Sequence, residues 1–155
     1  MKVEKVSVGL VGLGMVCESH LKAYSAHPDA EVLAVCDLDA ARSKEIANKY
    51  GIPRTYNSYE QMLKDPEINT VDITTPTILH SPMALAAAMA GKNILCEKPF
   101  CLTLTEGQEV CEAARSKGVT LMVGESYIFM TSLKQARTLI EAGEIGKPQQ
   151  IRQRF

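Results

Sequence analysis

No apolar run in the 155-residue chain is long enough to cross a bilayer: the longest, Met83 to Ala90, falls far short of the ~20 residues a spanning helix needs. A basic footprint is also missing. Seventeen basic side chains face eighteen acidic ones, for a net charge of -1, which argues against a nucleic-acid partner. There is no tryptophan, and the three histidines show no metal-ligand clustering, so no metal site is expected. The five cysteines, at 17, 36, 96, 101 and 111, make no C-x-x-C pair and fall mostly in apolar segments. They read as buried free thiols of a reducing, cytoplasmic compartment. Internal repeats and low-complexity tracts are absent. The N-terminus "MKVEKVSVGLVGLG" sets basic residues before an apolar stretch, but glycines and a helix pattern follow where a signal cleavage site would stand. It reads as a first strand.

What is present is an alternation. Apolar runs at Val6 to Val11, Glu31 to Cys36, Val71 to Thr74, Asn93 to Cys96 and Thr120 to Val123, with a short extended piece near Thr55, are separated by amphipathic, capped segments. Such alternation predicts an α/β domain with a parallel sheet and helices on its faces. Asp39 is placed to cap a helix ending at Gly51. Ser81 would cap one with Pro82 at its first position and Gly91 after its end, and Thr103 with Glu106 has capping-box spacing before a helix closing at Gly118. Beyond Val123 the rhythm changes: Leu133, Ala136, Leu139 and Ile140 mark a helix, "EAGEIGKP" a turn, and "QQIRQRF" a strand. The expected organisation is one domain over residues 1–124, then residues 125–155 as a linking helix and the first strand of a second, truncated α+β domain.

The first turn carries the most informative motif. Strand one runs into Gly12-Leu13-Gly14-Met15-Val16-Cys17 and then a helix, and Asp37 closes the second strand near the ~20-residue spacing expected of a dinucleotide fingerprint. Gly12 allows the tight turn, Gly14 lets backbone approach a pyrophosphate, and the helix N-terminus offers unpaired N–H groups. Cys17 stands where the third glycine would, a position that governs helix-to-strand packing. The bland alternative is a tight turn with no ligand. Asp37 suits the ribose hydroxyls of NAD, because a 2′-phosphate about 4 Å away would cost roughly 1 to 4 kcal/mol. Arg42, in the next helix, either reaches such a phosphate, which would admit NADP, or is a solvated surface arginine.

A second constellation lies at "ILCEKPF". An apolar strand ends at Glu97, Lys98 and Pro99, placing a carboxylate and an ammonium where open α/β sheets bind ligands. Pro99 keeps Lys98 out of helical geometry. Lys98 is either a clamp on a developing alkoxide or a solvated lysine paired with Glu97. His80 is either a surface or capping residue or a cofactor contact, His20 is a packing residue, and Glu125 and Tyr127 are candidates to face the same pocket.

Taken together, "GLVGLGMVCESH", "VLAVCDLDAARSKEIANKYGI", "VDITTPTILHSPMALAAAMAGKNILCEKPFCLT", "GVTLMVGESYIF" and "AGEIGKPQQIRQRF" resemble the glucose-fructose oxidoreductase/inositol dehydrogenase family over essentially the whole chain. The pairing of "TPTILH" with "CEKP" is the most specific part. The resemblance implies a Rossmann-type doubly wound parallel sheet that binds NAD or NADP, and hydride exchange with a secondary alcohol of a sugar, inositol or related polyol. It places Gly12, Leu13, Gly14, Met15 and Val16 at the pyrophosphate and Asp37 at the adenosine ribose. Thr75, Pro76 and His80 would line the groove, Glu97 and Lys98 would stand at the nicotinamide, and Lys98 would touch the reacting oxygen as the catalytic residue of this segment. A homo-oligomer is expected. Two departures are Ile128, where many relatives carry a polar residue, and the family's catalytic Asp and His pair, which lies beyond Phe155. The chain alone is therefore expected to bind the cofactor with little turnover. A non-catalytic dinucleotide sensor is the alternative.

Overall fold

The computed structural model describes residues 5–150 and 152. Six parallel strands form one sheet in the order β3-β2-β1-β4-β5-β6. They are β1 (Val6–Val11), β2 (Ala30–Cys36), β3 (Arg54–Tyr56), β4 (Thr70–Ile73), β5 (Asn93–Cys96) and β6 (Leu121–Val123). Between them run α1 (Cys17–Ala26), α2 (Ala40–Tyr50), α3 (Tyr59–Leu63), α4 (His80–Met89) and α5 (Leu104–Lys117). This is the parallel sheet with helices on its faces that the alternation predicts, in the doubly wound order that the resemblance implies. The expected C-terminal strand falls largely outside the described residues.

The strands are near-continuous apolar runs because helices cover both faces. With side chains alternating along each strand, Leu10 and Val35 turn to one face and pack with Cys17 and Leu21 of α1 and Ile46 and Ala47 of α2. Val11, Ala34, Val71, Ile73, Ile94 and Cys96 turn to the other, against Met62 of α3, Ala84 and Ala88 of α4 and Val110 of α5. All five cysteines are free, and those at 17, 36 and 96 are buried. Burial pushes the Cys96 thiol up to about 12, so it behaves as a packing group.

Caps follow the sequence with one correction. Asp39 accepts from the N–H groups of Ala41 and Arg42, and α2 ends at Gly51 with φ 68. Thr103 accepts from the Glu106 N–H, and α5 ends at Gly118 with φ 67. Ser81 does not cap α4. A 3-10 turn at Thr77–Leu79 leads directly into the helix, which begins at His80, and the Ser81 hydroxyl donates to Glu106 instead. The helix thus starts earlier because the turn already supplies helical geometry.

The chain divides into two compact units, Met1–Gly124 and Glu125–Phe155. The second unit holds a 3-10 turn at Ser126–Phe129 and α6 (Thr131–Glu141). Tyr127, Ile128 and Phe129 in that turn are exposed. Among the described residues no helix is long and apolar enough to cross a membrane, and no His, Cys, Asp and Glu cluster could hold a metal.

Candidate dinucleotide site

In-register pairing brings the strand ends level. Val11 pairs with Cys36 and with Ile73, Ile73 with Cys96, and Cys96 with Val123. The residues that follow, namely the glycine turn, Asp37, Thr74-Thr75 and Glu97-Lys98, therefore emerge along one carboxyl edge. Hydrogen bonds lock the same level: Gly12 N–H to Cys36 O, Thr74 N–H to Val11 O and Glu97 N–H to Ile73 O, each 2.9 Å. The strand order reverses between β1 and β4, the crevice where open α/β sheets bind ligands.

The two glycines differ in kind. Gly12 has φ +91, and a Cβ built there would lie 2.7 Å from Thr75 Cγ2 and 2.8 Å from the Thr75 nitrogen. Only glycine fits. Gly14 has nothing within 4 Å of a built Cβ, so the turn presents open backbone there. Val16 precedes α1 without a side-chain cap, leaving the helix N-terminus available to an anion. Leu13 is buried beneath the turn, Met15 is 99% exposed above it, and Cys17 fills the third-glycine position as a fully buried packing group. The Thr74 hydroxyl donates to Gly12 O at 2.6 Å, tying the β4 loop to the turn. That contact had no marker in the sequence.

Asp37 sits at the rim, its Oδ2 accepting the Leu13 N–H at 2.7 Å and its Oδ1 the Asp39 N–H at 3.0 Å. Each carboxylate oxygen keeps a second acceptor site. Arg42 is not simply solvated: its Nε donates to Leu13 O at 3.1 Å, its Nη1 to Glu45 at 2.9 Å, and its Nη2 lies 3.7 Å from Glu18. The Thr75 hydroxyl turns to Met83 Sδ at 3.6 Å, while Pro76 is exposed. His80 is only 1% exposed, which corrects the surface placement. Its ring nitrogens lie 2.7 Å from Thr75 O and 2.8 Å from Pro99 O, so it braces the β4 loop against the Glu97–Pro99 loop.

Lys98 is exposed and follows a carboxylate that is occupied elsewhere. Glu97 Oε2 accepts the Lys98 backbone N–H at 3.0 Å, and Glu97 Oε1 faces His20 Nε2 at 3.2 Å. The Glu97–Lys98 ion pair of the solvated-lysine alternative does not form, and the ammonium makes no salt bridge among the described residues. The Lys98–Pro99 peptide is cis.

His20 is more than a packing residue. Its Nδ1 lies 2.8 Å from Asp72 Oδ2, which also accepts the Tyr24 hydroxyl at 2.9 Å. Asp72 is fully buried, and its Oδ1 has no hydrogen-bond partner among the described residues. The sequence held a partial signal that the packing reading of His20 did not use: His20 and Tyr24 are four apart on one face of α1, and Asp72 interrupts an otherwise apolar strand. Because both ring nitrogens face carboxylates, the hydrogen bond to Asp72, opposed by burial, lifts the His20 pKa above its ordinary 6.5. A raised folded value contributes stability below the unfolded one, and that contribution is lost as pH rises through the folded one. The urea midpoint of the wild type should therefore exceed that of His20→Gln most at pH values below the ordinary histidine pKa of 6.5, and fall toward it as pH rises above that value. A gap independent of pH would contradict the charged network.

A parallel six-stranded sheet with a glycine turn at its switch point and an acidic residue ending the second strand defines a dinucleotide-binding protein. The chain belongs to the oxidoreductase family with an NAD-binding Rossmann fold, whose model matches residues 6–125. It is 36% identical over 145 residues to an uncharacterized oxidoreductase, YrbE, of Bacillus subtilis, covering 94% of this chain and 42% of that one. It is 34% identical over 146 residues to inositol 2-dehydrogenase of Salmonella typhimurium, covering 92% and 44%. The solved structure of a levoglucosan dehydrogenase in complex with NADH and levoglucosan superposes with TM-score 0.87 at 32% identity, covering 93% of this chain and 41% of that one. The chain thus spans less than half the length of these relatives.

Proposed function

We propose that this chain is the cofactor-binding portion of an NAD-dependent dehydrogenase acting on a secondary alcohol of a sugar, inositol or related polyol. The observation that carries the reading is the alignment of Gly12–Val16, Asp37, Thr75 and Glu97–Lys98 along one edge of the switch-point crevice, with a charged residue at each end. The residues fit the group: open backbone at Gly14 and an uncapped helix N-terminus would receive the pyrophosphate, and Asp37 the ribose hydroxyls. The bound nicotinamide would supply the hydride acceptor or donor. Lys98 would donate a hydrogen bond to the substrate oxygen and stabilise the negative charge that develops there. Small-molecule relatives such as the inositol and levoglucosan dehydrogenases support the polyol class.

NAD is favoured over NADP on two counts. Asp37 would repel a 2′-phosphate, and the donors of Arg42 are turned to Leu13 O and to Glu45. Titration followed by nicotinamide fluorescence should give saturable NADH binding, with NADPH at least about tenfold weaker, and Asp37→Ala should narrow that ratio. Absence of saturable binding with either nucleotide would overturn the cofactor assignment.

A further inference from the structure

We propose that His20 is a positioning residue for Lys98, acting through the Glu97 carboxylate; the inference rests on the role of Lys98 in the proposed function. Glu97 is held at three points. Its Oε2 accepts the Lys98 N–H at 3.0 Å, its Oε1 faces His20 Nε2 at 3.2 Å, and its backbone N–H is fixed to Ile73 O at 2.9 Å. Gly124 completes the cradle, because a Cβ there would come within 3.3 Å of Glu97 Oε1. His20 in turn is anchored on Asp72, a fully buried strand residue. A continuous chain of contacts therefore runs from the core through His20 and Glu97 to the backbone of Lys98. His20 also lies one turn inside α1, the helix whose N-terminus faces the glycine turn. The same helix thus presents the phosphate end of the site and braces its nicotinamide end.

The competing role is satisfaction of Asp72 alone. Asp72 Oδ2 already accepts the Tyr24 hydroxyl at 2.9 Å, whereas Glu97 Oε1 has His20 as its hydrogen-bond partner among the described residues. The need that His20 meets uniquely is that of Glu97. An error in aim as small as 1 Å can cost about 100-fold in rate, which makes such bracing worthwhile.

Two conservative substitutions separate the roles, since Gln can reach toward Glu97 as Nε2 does and Asn toward Asp72 as Nδ1 does. Amide hydrogen exchange of Lys98, read by NMR on this chain, should stay near wild type in His20→Gln. It should accelerate about fivefold in His20→Asn, the effect of losing about one hydrogen bond. In wild type the Lys98 amide shift should titrate with the His20 ring. Glu97→Ala, which removes the link from the outer end, should accelerate exchange as His20→Asn does and make the two His20 variants equivalent. If an inner variant fails to fold, the wild-type titration decides the matter: a Lys98 amide shift that does not follow the His20 ring would overturn the inference. Equal exchange in the Gln and Asn variants on the wild-type background, or unchanged exchange in Glu97→Ala, would overturn the inference. NADH titration of the same samples keeps the readings apart: no binding by wild type defeats the functional proposal, whereas normal binding with equal exchange defeats only the role of His20.

Discussion

Gly12→Ala is expected to lower unfolding stability by about 2 to 5 kcal/mol and to abolish measurable NADH binding. The estimate joins about 1 to 2 kcal/mol for forcing an L-residue into a left-handed conformation with about 1 to 3 kcal/mol for overpacking. Both contributions apply, since φ is +91 and the built Cβ meets Thr75 Cγ2 at 2.7 Å and the Thr74 carbonyl carbon at 2.9 Å. The clash is with backbone, so relaxation must move the β4 loop, and with it the Thr74 hydroxyl bond to Gly12 O. Gly14→Ala is the internal control. No atom lies within 4 Å of its built Cβ, so stability should change by less than about 1 kcal/mol. NADH affinity should still fall, because the methyl group occupies the space through which a pyrophosphate approaches. Urea unfolding and NADH titration of the two variants check this. Equal stability losses, or intact NADH binding by Gly12→Ala, would contradict the assigned division between turn geometry and ligand approach.

Lys98→Met should leave NADH affinity unchanged and lower polyol-dependent turnover by about 100- to 1,000-fold, the effect of removing one preorganised donor from a developing oxyanion. Met keeps most of the apolar stem and removes the ammonium. Stability should change little, since Lys98 is exposed and its ammonium makes no salt bridge among the described residues. The rate is to be measured in a polypeptide of the relatives' length that carries this segment. Unchanged turnover would remove Lys98 from the chemistry and favour a dinucleotide sensor, which needs the phosphate turn but no cation at the nicotinamide end.

The elements that local chemistry controls were legible in the sequence. The strands at Val6–Val11 and Asn93–Cys96 have the bounds read from their apolar runs, and the helix ends at Gly51 and Gly118 follow from the left-handed conformations that glycine adopts readily. Ser81 shows where this reasoning stops. It has the right residue type before Pro82, but the 3-10 turn preceding it had already begun the helix, and its hydroxyl was recruited by Glu106, 25 positions away. The packing reading of His20 and the surface alternative for His80 stop at a related limit. A lone histidine takes its role from partners distant in sequence: the carbonyls of Thr75 and Pro99 for His80, and the carboxylates of Asp72 and Glu97 for His20.

By itself, then, the sequence determined the alternation of strands and helices, the glycine turn with its acidic partner at Asp37, and the charged end of the fifth strand. These depend on periodicity, capping and backbone freedom, all set by near neighbours in the chain. Only the tertiary structure decided that Glu97 bonds His20 and the Lys98 backbone rather than the Lys98 ammonium, that Arg42 turns its Nε to Leu13 O, and that Gly12 rather than Gly14 is sterically compelled. The physical reason is that a polar group buried at a strand edge must find a partner among whatever side chains the sheet register brings level with it. With the helices packed on the sheet, that register brings together residues 77 positions apart, as for His20 of α1 and Glu97 after β5.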